Sequence, residues 1–226
     1  STPSELASLS PPNYLLFHKP RPQKSGGGVG IFVKQTLKCA VVDTPDYSSF
    51  ETIAVSVNLL NSHFHFISIY RTGPPSSFFQ DFPTFPETIS SWASPSIITG
   101  DFNFHLDDPT SCHTIKFNSL LHSFNLKQHV NFATHVLEHT LDLLITPHDH
   151  PIVKSVSPAG FISDHCCISV KLDLAMPKPP SFPTLISYRK YADIDMRCLR
   201  HNLSSSLAAL PPQTLCMTSI TQPSLA

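Results

Sequence analysis

The stretch SPSIITGDFNFHLDD, residues 94–108, joins a short apolar run to a series of polar residues. The run at 96–99 ends on Gly100 and is only four residues long, which predicts a buried strand. Polar side chains that directly follow such a strand lie at the edge of a sheet, on the loops that carry binding and catalytic residues. This strand end is therefore the first candidate for a functional site.

The aspartate and the asparagine of this stretch, Asp101 and Asn103, are two residues apart. In an extended segment such residues point to the same side, so both can face one ligand while Phe102 and Phe104 face the core. A carboxylate beside an amide suits a hydrated phosphate, because the acid can take a proton or hold water and the amide can donate to a phosphoryl oxygen. An Asx turn that closes the strand is the alternative interpretation of the same two residues.

Alternating or apolar runs on both sides of this stretch predict further strands. They lie at 30–33, 39–42, 52–57 and 64–70 before it, and at 140–145, 152–157 and 166–172 after it. Strands mixed with helices, several of them in hairpin-like succession, predict an α/β layered sandwich and exclude an all-helical bundle.

Two segments have helical spacing. In SSFFQDFPTFPETISSW, residues 76–92, Pro83 and Pro86 interrupt that spacing, so we expect a helix only over the second half. A second helix is predicted at 113–124, where the apolar side carries Ile115, Leu120, Leu121 and Phe124.

The composition is that of a globular chain of 226 residues, with 41% hydrophobic and 14% charged residues. A formal net charge of -1 supplies no overall field to attract nucleic acid or an anionic membrane, so any such contact must be local. Six cysteines without a CxxC pair predict reduced thiols. No run approaches 18 apolar residues, and we therefore expect no membrane partner.

The character of the chain changes near residue 174. The proline-rich stretch MPKPPSFP at 176–183 predicts a linker, and 191–210 predicts an amphipathic helix. We expect one domain over 1–174, followed by a linker and helical tail over 175–226. The apolar positions of the tail helix are Ile194, Leu199, Leu203, Leu207 and Leu210.

Two polar residues lie within or beside later apolar strands. Asp142 lies inside TLDLLI, where a buried carboxylate without a partner would cost several kcal/mol. Asp164 and His165 stand at the start of an apolar strand, and a hydrogen bond from His165 to Asp142 would orient the ring and favour its charged form. The alternatives are a solvated face for Asp142 and a polar strand start with a solvated Asp164.

The strand HFHFISIY ends in Tyr70, which is followed by Arg71. The tyrosine hydroxyl could reach a phosphate, and the guanidinium could approach the backbone of a nucleic acid. A tyrosine that only caps the core is the alternative.

A cationic cluster and several histidine pairs give weaker signals. Lys19, Arg21 and Lys24 could contact a DNA backbone, although a solvated loop explains them as well. His135 and His139 form one of the pairs that raise the possibility of zinc, but the chain lacks a cysteine pair or an HExxH arrangement to support it.

Taken in chain order, four features resemble the endonuclease/exonuclease/phosphatase superfamily. They are the strand that ends in Tyr70, GDFN at 100–103, the TLDL aspartate at 142, and SDH at 163–165. That superfamily includes deoxyribonuclease I, exonuclease III-like abasic-site endonucleases and the endonucleases of LINE-type (non-LTR) retrotransposons. GGGVGIFV and IYRTGPPS are most similar to the retrotransposon branch, and the resemblance covers roughly residues 10–172.

The resemblance implies a deoxyribonuclease I-like fold, a four-layer sandwich of two mixed β-sheets flanked by helices. It also implies phosphodiester hydrolysis that depends on Mg²⁺, with Mn²⁺ as a substitute, and DNA bound through its phosphate backbone. A retrotransposon protein of this kind would act in the nucleus and would carry a reverse transcriptase domain after the tail.

The resemblance also implies roles for the residues that match its motifs. Asp101 would prepare the attacking water and Asn103 would hold the phosphate. His165 would stabilise charge on the phosphoryl oxygens while Asp142 orients it. Asp164 would lie at the metal, and the hydroxyl of Tyr70 would donate a hydrogen bond to the phosphate.

Three departures from the family pattern bear on activity. The family's first-strand asparagine and its metal-binding glutamate fall before residue 1, so we expect the chain to lack the first strands, and Glu5 does not take over the role. Asp164 alone would hold magnesium weakly. Gly73 stands where abasic-site enzymes have an asparagine. Two alternatives therefore remain beside a DNA-nicking endonuclease: a catalytically inactive retroelement remnant, and a phosphoesterase of the same fold that acts on a small phosphate ester.

Overall fold

The computed structural model describes residues 10–21, 27–60, 62–92, 94–174 and 195–208. More of these residues belong to strands than to helices. A six-stranded mixed sheet has the order β3-β4-β5-β6-β8-β7, and only β5 and β6 pair in parallel. Its strands are β3 (Lys38–Val42), β4 (Phe50–Leu59), β5 (Ser62–Arg71), β6 (Ser96–Asp101), β7 (Leu126–Gln128) and β8 (Asp142–Pro147).

Three helices cover one face of this sheet. They are α1 (Pro75–Asp81), α2 (Thr84–Ser90) and α3 (Cys112–Ser123). The core beneath them is unusually aromatic: Phe78, Phe82, Phe85 and Phe117 are fully buried and pack with the sheet. The parallel β5–β6 pair requires a crossover, and α1 and α2 form it.

The expectation of a helix only over the second half of 76–92 is wrong, because both halves are helical. Pro75 is the first residue of α1, and Pro83 is the N-cap of α2. Pro86 lies in the first turn of α2, where an N–H has no helical acceptor in any case. The prolines thus separate two short helices instead of preventing the first.

The apolar side predicted for 113–124 is partly wrong. Leu121 is buried as expected, but Ile115 is 55% exposed. The buried side of α3 also contains Thr114 and Phe117, so it is rotated from the predicted one. The aromatic cluster decides this rotation, since Phe117 contacts four other phenylalanine rings of the core.

Two antiparallel hairpins cover the opposite face of the sheet. One consists of β1 (Tyr14–Pro20) and β2 (Gly28–Lys34), and the other of β9 (Val153–Phe161) and β10 (Cys166–Leu172). Side chains from both hairpins pack on a core that contains Val55, Val57 and Leu144 of the sheet. Among the described residues the layers are therefore helices, the six-stranded sheet and the two hairpins.

The predicted α/β layered class is confirmed, and each predicted strand up to residue 172 is present with slightly different ends. The strands β1 and β7 were not predicted. Most residues of β1 are partly exposed on both faces, which leaves no alternating pattern, and β7 is only three residues long. The second sheet expected from the resemblance is represented by two separate hairpins.

The helix α4 (Met196–Ala208) belongs to a second unit and is described by itself. Leu199 and Leu203, expected on its apolar side, are exposed. Glu5, Lys24, the linker at 176–183 and both ends of the predicted tail helix lie outside the described residues. Within the part of the chain that the structure describes, no helix is long and apolar enough to cross a membrane.

Candidate active site

A row of polar residues crosses four strands of the sheet at one end. Glu51 of β4 pairs with Tyr70 of β5, Tyr70 pairs with Asp101 of β6, and Asp101 pairs with Asp142 of β8. Paired residues of neighbouring strands point to the same face of a sheet. This face is the one that the hairpins cover, because Phe102 beside Asp101 lies in the opposite core. We call these four residues the polar row.

Gly100 sets the close approach of β6 to β5. It has φ of +140°, and a Cβ at this position would lie 1.8 Å from the carbonyl oxygen of Ile69. Only glycine tolerates both the backbone conformation and the contact. The GD pair at 100–101 therefore brings Asp101 into the row beside Tyr70.

Asp101 and Asn103 contact each other directly. The backbone N–H of Asn103 donates to Oδ1 of Asp101 at 2.9 Å, and its side-chain amide donates to Oδ2 at 3.0 Å and to the Arg71 carbonyl at 3.3 Å. The Asx turn is thus present, and Asn103 adopts φ of +53°. Phe102 and Phe104 are buried as predicted. The amide of Asn103 holds the carboxylate of Asp101 in place.

Arg71 lies on the helix side of the loop and not in the polar row. Its guanidinium donates to the carbonyl oxygens of Phe102, Gly73 and Asn103, and it lies 4.3 Å from the centroid of the Phe104 ring. These contacts differ from the predicted contact with a nucleic-acid backbone. In this structure Arg71 supports the loop that carries Asn103.

Asp142 and His165 form the hydrogen bond that their sequence environments predicted. Nδ1 of His165 donates to Oδ2 of Asp142 over 2.8 Å. The buried hydroxyl of Thr134 accepts from the backbone N–H groups of Leu141 and Asp142 at 2.9 Å each. These two bonds fix the backbone at Asp142, and the carboxylate of Asp142 orients the imidazole of His165.

The charges of the site act on one another. Burial raises the pKa of Asp101, and the nearby charge of Asp142 raises it further. Burial acts to lower the pKa of His165, but the hydrogen bond to Asp142 and the charges of Asp101, Asp142 and Asp164 outweigh it and raise that pKa. The site therefore combines a carboxylate with raised proton affinity and an imidazole that favours its cationic form.

His135 lies in the same site, and the sequence had suggested it only as part of a zinc pair. A backbone bridge pairs His135 with His165, and their ring centroids are 5.0 Å apart. Nδ1 of His135 accepts from the backbone N–H of Leu137, so the neutral ring carries its proton on Nε2. That nitrogen lies 3.6 Å from Oδ2 of Asp164. The signal available in the sequence was its position seven residues before Asp142.

Among the residues that the structure describes, two groups offer atoms to a metal ion, and both include His165. Ligand atoms of Asp101, Asp142 and His165 lie within 4.8 Å of one another, as do those of His135, Asp164 and His165. Nδ1 of His165 is already bonded to Asp142, so the first group offers mainly carboxylate oxygens. Such oxygens suit a hard divalent cation, and a cation there would offset the two neighbouring negative charges. The predicted ligand Asp164 is exposed and belongs to the second group only.

Tyr70 lies between Glu51 and Asp101 in the polar row. Cζ of Arg21, at the end of β1, is 5.7 Å from the centroid of its ring. The tyrosine thus lies beside the predicted catalytic aspartate, with a guanidinium on its other side.

Comparison with solved structures gives several neighbours of the same fold. The endonuclease domain of TRAS1, a telomere-specific non-LTR retrotransposon, superposes with a TM-score of 0.60 at 12% identity, over 72% of this chain and 81% of that domain. An endonuclease/exonuclease/phosphatase family protein from Leptotrichia buccalis superposes with a TM-score of 0.53 at 14% identity, over 75% of this chain and 74% of that protein. A 3′ phosphatase from Neisseria, bound to a product DNA hairpin, has a TM-score of 0.52 at 15% identity, over 76% of this chain and 83% of that protein.

The chain has the endonuclease/exonuclease/phosphatase fold. No protein-family model matches its sequence, and no curated protein matches it either. The endonuclease/exonuclease/phosphatase fold was expected from the four sequence features above, and the structure places three of their residues, Asp101, Asp142 and His165, in one group. A fold alone does not define a reaction, which depends on the residues of the site.

Proposed function

We propose that this chain is a divalent-metal-dependent phosphodiesterase that nicks DNA. The observation that carries the proposal is the 2.8 Å hydrogen bond between Asp142 and His165, with Asp101 paired to Asp142 in the adjoining strand. This arrangement supplies an oriented cationic imidazole and a separate carboxylate within one group. Phosphodiester hydrolysis needs both a base for water and positive charge at the phosphoryl oxygens.

Each side chain of the site has a separate role in hydrolysis. Asp101 accepts a proton from the attacking water, and Asn103 holds its carboxylate in position. His165 in its charged form donates from Nε2 to a phosphoryl oxygen, while Asp142 keeps Nδ1 protonated and the ring oriented. Tyr70 contributes a hydroxyl donor beside Asp101.

A divalent cation, Mg²⁺ or in its place Mn²⁺, would be held by the oxygens of Asp101 and Asp142, with Asp164 at the exposed side. When bound it would neutralise charge on the phosphoryl group. The sequence assigned the metal to Asp164; in this proposal the half-buried carboxylates of Asp101 and Asp142 are its main ligands.

The biological role in the proposal is that of a retroelement endonuclease. The motifs GGGVGIFV and IYRTGPPS support it, as does the fold shared with the TRAS1 endonuclease domain. In this proposal the domain formed by residues 1–174 acts on DNA in the nucleus and is joined through residues 175–226 to a reverse transcriptase in its parent protein.

The test is nicking of supercoiled plasmid by the full chain with Mg²⁺, beside an EDTA sample. The site variant is Asp142→Asn with His165→Gln. The matched control is Asp107→Asn with His139→Gln, because that pair has the same chemistry, a 3.0 Å Asp–His contact, outside the site.

The proposal expects metal-dependent nicking that the site variant loses and the control variant keeps. Equal nicking by both variants would place the activity elsewhere. Absence of nicking by a chain that shows cooperative thermal unfolding would identify an inactive remnant that retains the fold.

A further inference from the structure

Arg21 lies at the outer end of the polar row. It directly follows β1, its Nε donates to the carboxylate of Glu51, and its guanidinium carbon lies 5.7 Å from the Tyr70 ring centroid. The side chains of Arg21 and Glu51 are only 25% and 15% exposed. The row is thus bordered by a guanidinium at one end and by His165 at the other.

Arg21 is held from two sides. Gly27, at the end of the same hairpin loop, has φ of +83°, and a Cβ there would lie 3.1 Å from Cζ of Arg21. On the other side, Oε2 of Glu51 is buried and has no hydrogen-bond partner among the described residues. Removing Arg21 would leave a buried carboxylate with no cation, which is strongly unfavourable. Arg21 therefore stays on Glu51.

Donors remain on Arg21 after this contact is made. A guanidinium has five N–H groups, and the bond to Glu51 uses the one on Nε. The two terminal nitrogens suit the oxygens of a phosphate. Arg71 does not offer the same surface, because three carbonyl oxygens bind it on the other side of the sheet.

The position of Arg21 separates it from the reacting phosphate. Neighbouring strands are about 4.8 Å apart, so Glu51 lies two spacings, or about 10 Å, from Asp101 and about 14 Å from Asp142. The Tyr70 side chain occupies the position between them. The guanidinium of Arg21 and the carboxylate of Asp101 therefore lie on opposite sides of Tyr70, and Arg21 faces a position next to that of a phosphoryl group bound by Asp101 and His165.

We infer that Arg21 binds a phosphate that flanks the one undergoing hydrolysis, and that the substrate is therefore a polynucleotide strand and not a small phosphate ester. The inference rests on the proposed function, because it assigns the substrate class of that site. A chain with a formal net charge of -1 needs such local cations to bind nucleic acid.

Binding tests the inference without requiring catalysis. The probe is a fluorescein-labelled DNA duplex of 20 base pairs in EDTA, followed by anisotropy over a series of salt concentrations. Arg21→Gln should weaken binding about five- to tenfold and reduce the slope of log Kd against log salt by about one. The control Lys19→Gln removes the same charge two residues away, from an ion pair with Asp46, and should change Kd less than twofold.

A second variant separates positioning from bulk charge. Glu51→Gln makes the protein more positive, so nonspecific attraction would tighten DNA binding. If Glu51 positions Arg21, binding should instead weaken about threefold or more. Thermal unfolding of each variant shows whether it remains folded, and Arg21→Lys, which keeps the charge without the planar fork, should fall between wild type and Arg21→Gln.

Hydrolysis of bis(p-nitrophenyl) phosphate, which contains one phosphate, tests the proposed function by itself. Arg21→Gln should raise KM for DNA by a larger factor than it changes the rate of this reaction. Loss of all hydrolysis with Arg21-dependent DNA binding intact would reject the proposed function and keep the inference. No DNA binding by the wild-type chain, or equal binding by Arg21→Gln and Lys19→Gln, would overturn the inference.

Discussion

Asp142 and His165 are 23 residues apart in the chain, and Oδ2 of Asp142 accepts a hydrogen bond from Nδ1 of His165 at 2.8 Å. The contact joins the start of β8 to the start of β10, so it links the central sheet to the second hairpin. It also determines which nitrogen of His165 faces outward, and the behaviour of the site with pH follows from it.

Asp142→Asn should shift the pH dependence of phosphodiester hydrolysis. In the wild type the raised pKa of His165 keeps the ring charged above its ordinary pKa of about 6.5. Without the carboxylate, the alkaline limb of kcat/KM against pH should move to lower pH, and kcat should fall at least tenfold. A profile of unchanged shape would show that His165 does not set this limb.

Asp101→Asn should change how stability depends on pH. The folded-state pKa of Asp101 is raised above its unfolded value of about 3.9. The contribution of Asp101 to the free energy of unfolding is therefore fully present below the unfolded pKa and is lost as pH rises through the folded-state pKa. Asn103 can still bond to an asparagine. Urea denaturation should show that the free energy of unfolding of the variant increases, relative to that of the wild type, from pH 3 to pH 7. A constant difference over that range would contradict the shift.

His135→Ala should reduce nicking activity about tenfold with little change in stability, because it removes the imidazole beside Asp164 and His165. The comparison is His139→Ala, whose ring stacks on His105 at 3.9 Å outside the polar row. Nicking rates and thermal unfolding are measured for both. Equal activity of the two variants would exclude His135 from the site.

Gly100→Ala should destabilise the fold by about 3 kcal/mol or more, since a Cβ would collide with the Ile69 carbonyl in the centre of the sheet. Gly160→Ala is the matched control. Gly160 also has positive φ, at +97°, but nothing lies within 4 Å of its Cβ position, so about 1 kcal/mol is expected. Urea unfolding of the two variants gives the difference.

Arg71→Lys should impair hydrolysis of DNA and of bis(p-nitrophenyl) phosphate alike. Lysine keeps the charge but cannot bond three carbonyl oxygens in a planar fork, so the loop that carries Asn103 should loosen. For Arg21→Gln, in contrast, hydrolysis of DNA should be affected more than hydrolysis of the small ester. If Arg71→Lys weakened DNA binding and left the small ester unchanged, Arg71 would belong to the substrate surface instead.

Features that depend on neighbouring residues could be predicted from the sequence. The strands follow from alternation of side chains, and the Asx turn at Asp101 and Asn103 from two residues of one loop. The contact of Asp142 with His165 could be predicted because a carboxylate inside an apolar strand requires a partner. The two-helix crossover and the rotation of α3 could not, since packing between phenylalanine rings distant in sequence decides them.

The sequence by itself determined most of the strands, the class of fold, and Tyr70, Asp101, Asp142 and His165 as residues that converge at one end of the sheet. Only the tertiary structure decided which arginine faces that end, and it placed Arg21 there and Arg71 behind the loop. It also brought His135 beside His165. The physical reason is that these positions depend on strand register and on which face each layer covers, and both are set by contacts between segments that are far apart in the chain.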